Sequence, residues 1–168
     1  MSQKINPVQD PDEDARALAC DLLVQARTAA LGVIHPTTHA PYVSRVAILA
    51  APGRAVFSLV SDLSLHCQAL RADPRASLLL GDPGPRGDPL NQPRLSIQAV
   101  ASFVDPATAA DQDLRAQWLS RHPKSKLYID FADFSFVDFT ILGANLNGGF
   151  AKAYALGPND FKINLRND

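Results

Sequence analysis

The sequence predicts a mainly β domain with flanking helices, built around a six-stranded antiparallel barrel. Strand-like runs follow one another through short turns and do not alternate strictly with helices. This order favours a closed or nearly closed antiparallel barrel over a doubly wound sheet. At 168 residues the chain fits one domain with one core. We expect residues 1–11 to be a disordered N-terminal arm and residues 12–168 to form the domain.

A helix is the first structured element that the sequence predicts. Asp10 can serve as its N-cap, Pro11 suits the first helical position, and Glu13 lies three residues after the cap. Apolar residues then recur at helical spacing to about Arg27. We expect this helix to cover one end of the sheet.

The first strands that follow are short and closely spaced. Apolar runs predict strands at 29–34 and 42–49, and turn residues at 51–54 lead into the next strand. Further along, residues 94–104 alternate apolar and polar side chains and predict a long strand with one buried face. Short connections of this kind are typical of an antiparallel meander.

The second half of the chain predicts one helix and the remaining strands. Asp105-Pro106 is a helix-start signal, and the helix should run to about Arg121. Strands are expected at 134–142 and 144–156. Gly148-Gly149 interrupts the last of them, which suggests a bulge or a close approach of the backbone to another group.

The stretch 56–80 reads as strand, turn, short helix and strand, and the rest of the chain is arranged around it. Ser61 and Ser64 can open the short helix, and Asp73-Pro74 ends it. Hydroxyl groups, free helix-start amides and His66 therefore meet within one or two turns. Such a junction can hold an anion such as a phosphate. Helix capping alone explains the two serines equally well.

Charge and motif content exclude several classes of function. The net charge is −1 and the Lys and Arg residues are scattered, so we expect neither a nucleic-acid nor a membrane partner. No G-x-G-x-x-G or G-x-x-x-x-G-K-[ST] motif is present. Cys20 and Cys67 are expected to be reduced thiols. With no apolar signal-peptide region, these features predict a cytoplasmic protein.

The four histidines do not have the spacing of metal ligands, so no metal site is predicted. His35, His39 and His122 lie beside prolines or in turns, and we expect each to be a solvated loop residue. Trp118 is expected in the core or in an interface.

The central turn has the order S-x-x-x-x-H-x-x-x-L-x-x-D-P-R-x-S-L-L from Ser61 to Leu79. This order resembles the flavin-binding turn of the pyridoxamine 5′-phosphate oxidase-like split barrels, most closely in the haem-utilisation and general FMN-binding branch. Further motifs of that superfamily occur in the same order over most of the chain. They are Ser44-Arg45-Val46-Ala47-Ile48, Asp88-Pro89-Leu90, Arg94-Leu95-Ser96, Arg121-His122-Pro123, Asp133-Phe134 and Gly148-Gly149-Phe150-Ala151-Lys152-Ala153.

The resemblance implies an FMN-binding split barrel that forms a homodimer, with FMN in a groove between subunits. Arg45 matches the strand arginine that binds the phosphate, and the two residues after it would pass their backbone groups beneath the flavin ring. The serines and the histidine of the central turn match the phosphate-binding turn. Arg94 falls where the family has a polar side chain near the phosphate and ribityl chain. The implied FMN-binding residues are Arg45, Val46, Ala47, Ser61, Ser64, His66 and Arg94.

Two positions depart from the family pattern and bear on function. His66 stands where the oxidase itself has a Lys, and Leu65 replaces a basic residue. The resemblance therefore implies an FMN-dependent oxidoreductase whose substrate and electron donor are unidentified, and not vitamin B6 oxidation. Haem binding on the same barrel and a flavin-free structural dimer are the alternatives. No residue is identified as a catalytic acid or base, and whether the protein is an enzyme stays open.

Overall fold

The computed structural model describes residues 8–50, 56–85, 87–149 and 152–161. The predicted turn at 51–54 lies outside them. Within these ranges, no helix is both long and apolar enough to cross a bilayer. The helices and strands are α1 (Glu13–Gln25), α2 (Leu65–Ala72), α3 (Ala109–Arg121), β1 (Val8–Gln9), β2 (Thr28–Ile34), β3 (Pro41–Ala47), β4 (Leu49–Ala50), β5 (Val56–Ser61), β6 (Arg75–Leu80), β7 (Arg94–Phe103), β8 (Phe134–Asn147) and β9 (Ala153–Leu156). Short 3₁₀ helices cover Pro89–Asn91, Pro123–Leu127 and Pro158–Phe161.

The strands form one open sheet. Its path runs β1-β9-β8-β7-β6-β2-β3, and β5 pairs with both β4 and β8. All pairings of the described residues are antiparallel except the short parallel pair of β1 with β9. The prediction of a mainly β, antiparallel split barrel is confirmed. The strand number exceeds six because β1 and β4 are short additional strands and the runs predicted at 134–142 and 144–156 are two strands, β8 and β9, which are divided after Asn147.

Alternation along each long strand puts one face into the core. In β7, Leu95, Ile97 and Ala99 are buried, as the sequence alternation predicts. Helices α1 and α2 close this core with Leu23 and Leu70 among their buried residues. Each fully buried side chain of this size stabilises the fold by about 1.5–3 kcal/mol relative to exposure.

A second apolar cluster lies under α3. Trp118, Leu114, Ile129 and Phe136 are its buried members. The Trp118 indole N–H donates to the hydroxyl of the buried Ser125 at 3.0 Å, so its polar atom has a partner inside the cluster. Trp118 therefore lies in the core, which is one of the two places expected for it.

The first helix begins two residues later than expected. Asp12, and not Asp10, is the N-cap, since its carboxylate accepts the Ala15 N–H at 2.7 Å. The helix ends at Gln25. The predicted disordered arm is ordered in part, because β1 pairs with the backbone of β9. Residues 1–7 of that arm lie outside the described residues.

The glycine pair belongs to a turn and does not interrupt a strand. The Gly148 N–H donates to the Lys152 carbonyl at 2.7 Å, and Gly149 has a φ of 115°, which favours glycine. These contacts close the hairpin between β8 and β9. The bulge lies instead at Leu142 in β8, where the pairing with β7 shifts by one residue.

Neighbouring leucines of β6 give a matched test of the core. Leu78 is fully buried, whereas Leu79 on the other face is 45% exposed. We expect Leu78→Ala to lower the free energy of unfolding by about 2–5 kcal/mol, through lost burial and a cavity. Leu79→Ala should cost under about 1 kcal/mol. Urea denaturation measures both, and equal costs would contradict the assignment of the inner face.

Candidate functional site

Ser64 caps the helix that opens the predicted site. Its Oγ accepts the Cys67 N–H at 3.3 Å, with the backbone of Ser64 extended. The same hydroxyl donates to the Ser61 carbonyl at 2.7 Å. Helix capping thus occupies the Ser64 side chain in the protein without a ligand.

Ser61 is bound to an acidic residue that precedes β8. Its hydroxyl donates to the Asp133 carboxylate at 2.5 Å, and its Oγ accepts the Leu63 N–H at 3.1 Å. The Asp62 N–H donates to the Asp133 carbonyl at 2.8 Å. These contacts tie the turn before α2 to the start of β8. They also put a carboxylate beside the turn that the sequence predicts for a phosphate.

His66 is half-buried at the start of α2 and contacts β3. Its Nδ1 lies 3.1 Å from the Ser44 hydroxyl. Burial lowers the pKa of His66 below its ordinary value of 6.5. The ring is therefore mainly neutral near pH 7, and it differs in this respect from the permanently charged Lys of the oxidase.

The other side of α2 is held by an ion pair that contacts a cysteine. Arg71 donates to the Asp62 carboxylate at 3.0 and 2.7 Å, and its guanidinium lies 3.9 Å from the centre of the Phe103 ring. The Cys67 thiol lies 3.3 Å from the same carboxylate. Burial and Asp62 raise the pKa of Cys67 to about 11. Cys67 thus stays a thiol and serves packing, in line with the expected reduced state.

Arg45 lies on the exposed outer face of β3. None of the ion pairs of the described residues includes it. Val46, its neighbour, points into the core, and the Ala47 carbonyl accepts the Ser58 hydroxyl at 2.8 Å. Among the described strands, β3 pairs with β2 alone, so its other edge is open beside α2. Ser44, next to Arg45, is the residue that meets His66.

Arg94 lies at the other end of the fold from the central turn. It pairs with Asn147 at the end of β8, whereas Ser61 pairs with Phe134 at its beginning. The Arg94 guanidinium donates to the Leu90 carbonyl at 2.7 Å. Within one chain, the fold therefore brings His66 and the two serines to one turn, with Ser44 of β3 in contact with His66, and puts Arg94 at the other end of β8.

The prediction of a solvated loop histidine is wrong for His122. Its ring is half-buried, stacks on Trp118 with centroids 4.4 Å apart, and its Nε2 lies 2.8 Å from the Ile48 carbonyl. The i, i+4 spacing of Trp118 and His122 is the sequence signal that indicates this contact. His35 is a turn residue as expected, because its Nδ1 accepts the backbone N–H of Thr37 at 3.1 Å.

Within the described residues, no three His, Cys, Asp or Glu side chains are grouped so that they can hold a metal ion. The polar groups at the start of α2 are hydroxyls, one imidazole and the Asp133 carboxylate, and the exposed Arg45 guanidinium lies on the neighbouring strand β3. This set can bind and orient an anionic group, and it pairs the Ser44 hydroxyl with a neighbouring base, the His66 ring.

The sequence and the fold were compared with known proteins. No protein-family model matches the sequence. The non-canonical haem oxygenase HOZ of Arabidopsis thaliana chloroplasts is 31% identical over 102 residues, which is 61% of this chain and 30% of that protein. One solved structure is 38% identical, with a TM-score of 0.83 over 91% of this chain and 98% of its own. A haem-binding protein from Mycobacterium smegmatis is 26% identical, with a TM-score of 0.80 over 92% of this chain and 62% of that one.

A less similar solved structure comes from a named protein family. It is a Clostridium acetobutylicum protein related to general stress protein 26, of the pyridoxine phosphate oxidase family, with a TM-score of 0.68. It is 14% identical over 90% of this chain and 99% of its own, a likeness of fold alone. The chain has the split-barrel fold of the pyridoxine phosphate oxidase family. The chain is also similar in sequence to two proteins named for haem, HOZ and the mycobacterial protein. The chain spans less than a third of the plant relative and under two thirds of the mycobacterial one.

The lowered pKa of His66 predicts a loss of stability in acid. The folded ring binds fewer protons than the unfolded one, so its contribution is full above pH 6.5 and is lost as the pH falls through the folded pKa. His66→Gln should remove this part of the pH dependence. Urea denaturation between about pH 5 and 8 measures the pH dependence of the free energy of unfolding. The pKa of His122 is also lowered, so His66→Gln should still lose some stability in acid. A His66 ring that titrates above 6.5 by NMR would contradict the prediction.

Proposed function

We propose that the protein binds FMN along the open edge of β3, next to the start of α2, and acts as an FMN-dependent oxidoreductase on a small molecule. The observation that carries the proposal is the Arg45 guanidinium. It has no carboxylate partner among the described residues, and its neighbour Ser44 contacts His66 of α2. Arg45 and the Ser44–His66 pair are thus adjacent along β3, with side chains on opposite faces of the strand, and a phosphate at the open edge favours donors such as guanidinium and imidazole.

The residues fit a phosphate on one side of the turn only. Arg45 can bind two phosphate oxygens through its planar fork, and His66 can take up a proton when an anion approaches. Ser61 and Ser64 direct their hydroxyls away, toward Asp133 and the helix start. The Asp133 carboxylate repels an anion, so the phosphate must lie on the β3 side. When bound, FMN supplies the redox chemistry, and the protein binds and orients it.

Haem is a second candidate, and His66 is the observation that favours it. A neutral imidazole is the form that ligates iron, and the described contact of the ring is at Nδ1, which leaves Nε2 for a ligand. Arg45 suits a propionate carboxylate as well as it suits a phosphate. HOZ and the mycobacterial protein are named for haem, which supports this candidate.

The absorbance spectrum of the protein separates these functions. FMN and haemin are each titrated into the purified protein and into His66→Gln. Flavin bands with quenched fluorescence support the first proposal. A shifted Soret band that His66→Gln abolishes supports haem. Binding of neither ligand rejects both proposals and leaves the flavin-free structural dimer.

Removing Arg45 should distinguish FMN from riboflavin. Arg45→Ala is expected to weaken FMN by about 1.5–3 kcal/mol, because the lost hydrogen bond is charge-assisted and directed to the phosphate. Riboflavin, which lacks the phosphate, should change little. Fluorescence titration measures both ligands, with Lys126→Ala, a change of an exposed cation in the 3₁₀ helix Pro123–Leu127, as the control. Equal losses for FMN and riboflavin would show that Arg45 does not meet the phosphate.

We also propose that two copies of the chain pair through the outer face of the sheet. Val43 in β3 and Leu142 in β8 are 65% and 57% exposed there. A groove of about 440 Å³ lies between them and is also lined by Gly32, Ser77 and Gln98. The pairings Val43–Gly32–Ser77–Gln98 form one continuous row across four strands. Val43 and Leu142 are the exposed apolar side chains of this groove, and exposed apolar side chains beside a groove are typical of an interface.

Light scattering tests the homodimer at micromolar concentration. The chain should have twice its monomer mass, and Leu142→Asp should shift it to monomer by burying a charge in the interface. Leu127→Asp changes a leucine that is 78% exposed outside this face, and should leave the dimer intact. A wild-type monomer would reject the proposal.

A further inference from the structure

The contact between Ser44 and His66 joins strand β3 to the start of helix α2 through two side chains. The Ser44 Oγ lies 3.1 Å from the His66 Nδ1, and both side chains are half-buried. Ser44 is held in register by its pairing with Leu31 of β2, and His66 is the second residue of α2. The hydroxyl and the imidazole therefore meet from two separately fixed backbones, and the contact holds the ring at Nδ1.

The direction of this hydrogen bond decides which ring nitrogen carries the proton. A serine hydroxyl can donate or accept, whereas a neutral imidazole has one nitrogen of each kind. Within the described part of the chain, Nδ1 of His66 is the partner of the Ser44 hydroxyl. If the O–H donates to Nδ1, it has an acceptor, but if Oγ accepts from an Nδ1–H, the hydroxyl hydrogen has none among these residues. Since an unpaired donor is costly away from water, the contact favours donation by Ser44.

The His66 ring is uncharged near neutral pH. Burial lowers its pKa, and no charged group of the described residues contributes to the shift. Strand β2, on which α2 packs, has no charged residue between Thr28 and Ile34. Arg45 lies on the other face of β3 from Ser44. A neutral ring that accepts at Nδ1 carries its proton on Nε2, because the bond made by one ring nitrogen sets the state of the other.

The two ligand chemistries considered for this site need opposite states of Nε2. A phosphate oxygen accepts a hydrogen bond and needs the Nε2–H. Iron needs the lone pair of Nε2, so the ring proton would have to lie on Nδ1 and the Ser44 hydroxyl would have to accept it. The hydroxyl hydrogen would then lose the acceptor that it has in this structure. The Ser44 contact therefore discriminates between the two ligands.

We infer that Ser44 is a positioning residue that sets the specificity of the candidate site: its hydroxyl donates to Nδ1, keeps the His66 proton on Nε2, and so presents an N–H donor to a phosphate and not a lone pair to a metal ion. The ligand side of this inference rests on the proposed function, whereas the direction of the hydrogen bond does not.

Nitrogen-15 NMR of the imidazole reads the tautomer directly. In the ligand-free wild type at about pH 8, above the ordinary histidine pKa, Nδ1 should have the chemical shift of an unprotonated nitrogen and Nε2 that of a protonated one. Ser44→Ala should move both shifts toward the average of exchanging tautomers. Ser44→Thr keeps the hydroxyl on a residue that suits a strand and should restore the wild-type shifts. Ser102→Ala, which removes an exposed hydroxyl from β7, should change neither shift.

Two results would overturn the direction of the hydrogen bond or the role of Ser44. A protonated Nδ1 in the wild type would make Ser44 the acceptor. Shifts in Ser44→Ala that equal those of the wild type would show that the hydroxyl does not hold the tautomer. The wild-type measurement needs no variant, so it stays decisive even if Ser44→Ala does not fold.

Ligand titration tests the consequence for specificity. At about pH 8, Ser44→Ala should weaken FMN about threefold and leave riboflavin unchanged, because only FMN has a phosphate to accept the Nε2–H, and Ser44→Thr should bind FMN as the wild type does. Equal weakening of both flavins would mean that Ser44 supports the fold and not the donor. A wild-type Soret band that His66→Gln abolishes would overturn the inferred specificity. If the wild type binds neither FMN nor haemin, the proposed function fails, while the tautomer still decides the direction of the hydrogen bond.

Discussion

The double pairing of strand β8 is the constraint on which the rest of the structure depends. This 14-residue strand pairs with β5 over its first half and with β9 over its last residues on one edge, and with β7 on the other. β5 and β9 pair with the same edge of β8, and the bulge at Leu142 lies between the two paired segments. The bulge allows β8 to bend between its pairing with β5 and its pairing with β9. A slip of one residue would turn every buried side chain outward. The register of β8 therefore fixes Asp133, directly before the strand, against Ser61.

Much of the fold follows from local patterns. The alternation in β7 predicts its buried face, and Ser64 and Asp73-Pro74 predict both ends of α2. Local patterns are ambiguous where two similar signals lie close together. Asp10 and Asp12 are both good N-caps, and only the accepted Ala15 N–H selects Asp12. A glycine pair suits a turn as well as a bulge, since both use the same backbone freedom. The pairing of β1 depends on β9, which lies far away in the sequence.

The candidate site also combines contacts that the local sequence indicates with contacts that it does not. Ser64 and His66 belong to one helix start, and the sequence places them together correctly. The partner of Ser61 is 72 residues away and that of His122 is 74 residues from it, and no local rule indicates either contact. A neighbouring proline suggests a solvated histidine, but the His122 N–H still donates to the Trp118 carbonyl at 2.7 Å, so His122 lies one helical turn after Trp118 and packs on it. For Arg94, alternation gives the face of the strand and not the end of the barrel at which it lies.

The charges around α2 set how a ligand can be held. Asp62 is neutralised by Arg71, His66 is neutral by burial, and the Asp133 carboxylate accepts the Ser61 hydroxyl. Arg45 is thus the one permanent cation that the described part of this strand edge offers to a ligand. A single charge-assisted contact contributes about 1.5–3 kcal/mol, which is far less than micromolar binding requires. In the proposed function, the flavin ring on the strand edge supplies the remainder, and the Arg45 guanidinium contributes the contact to the phosphate.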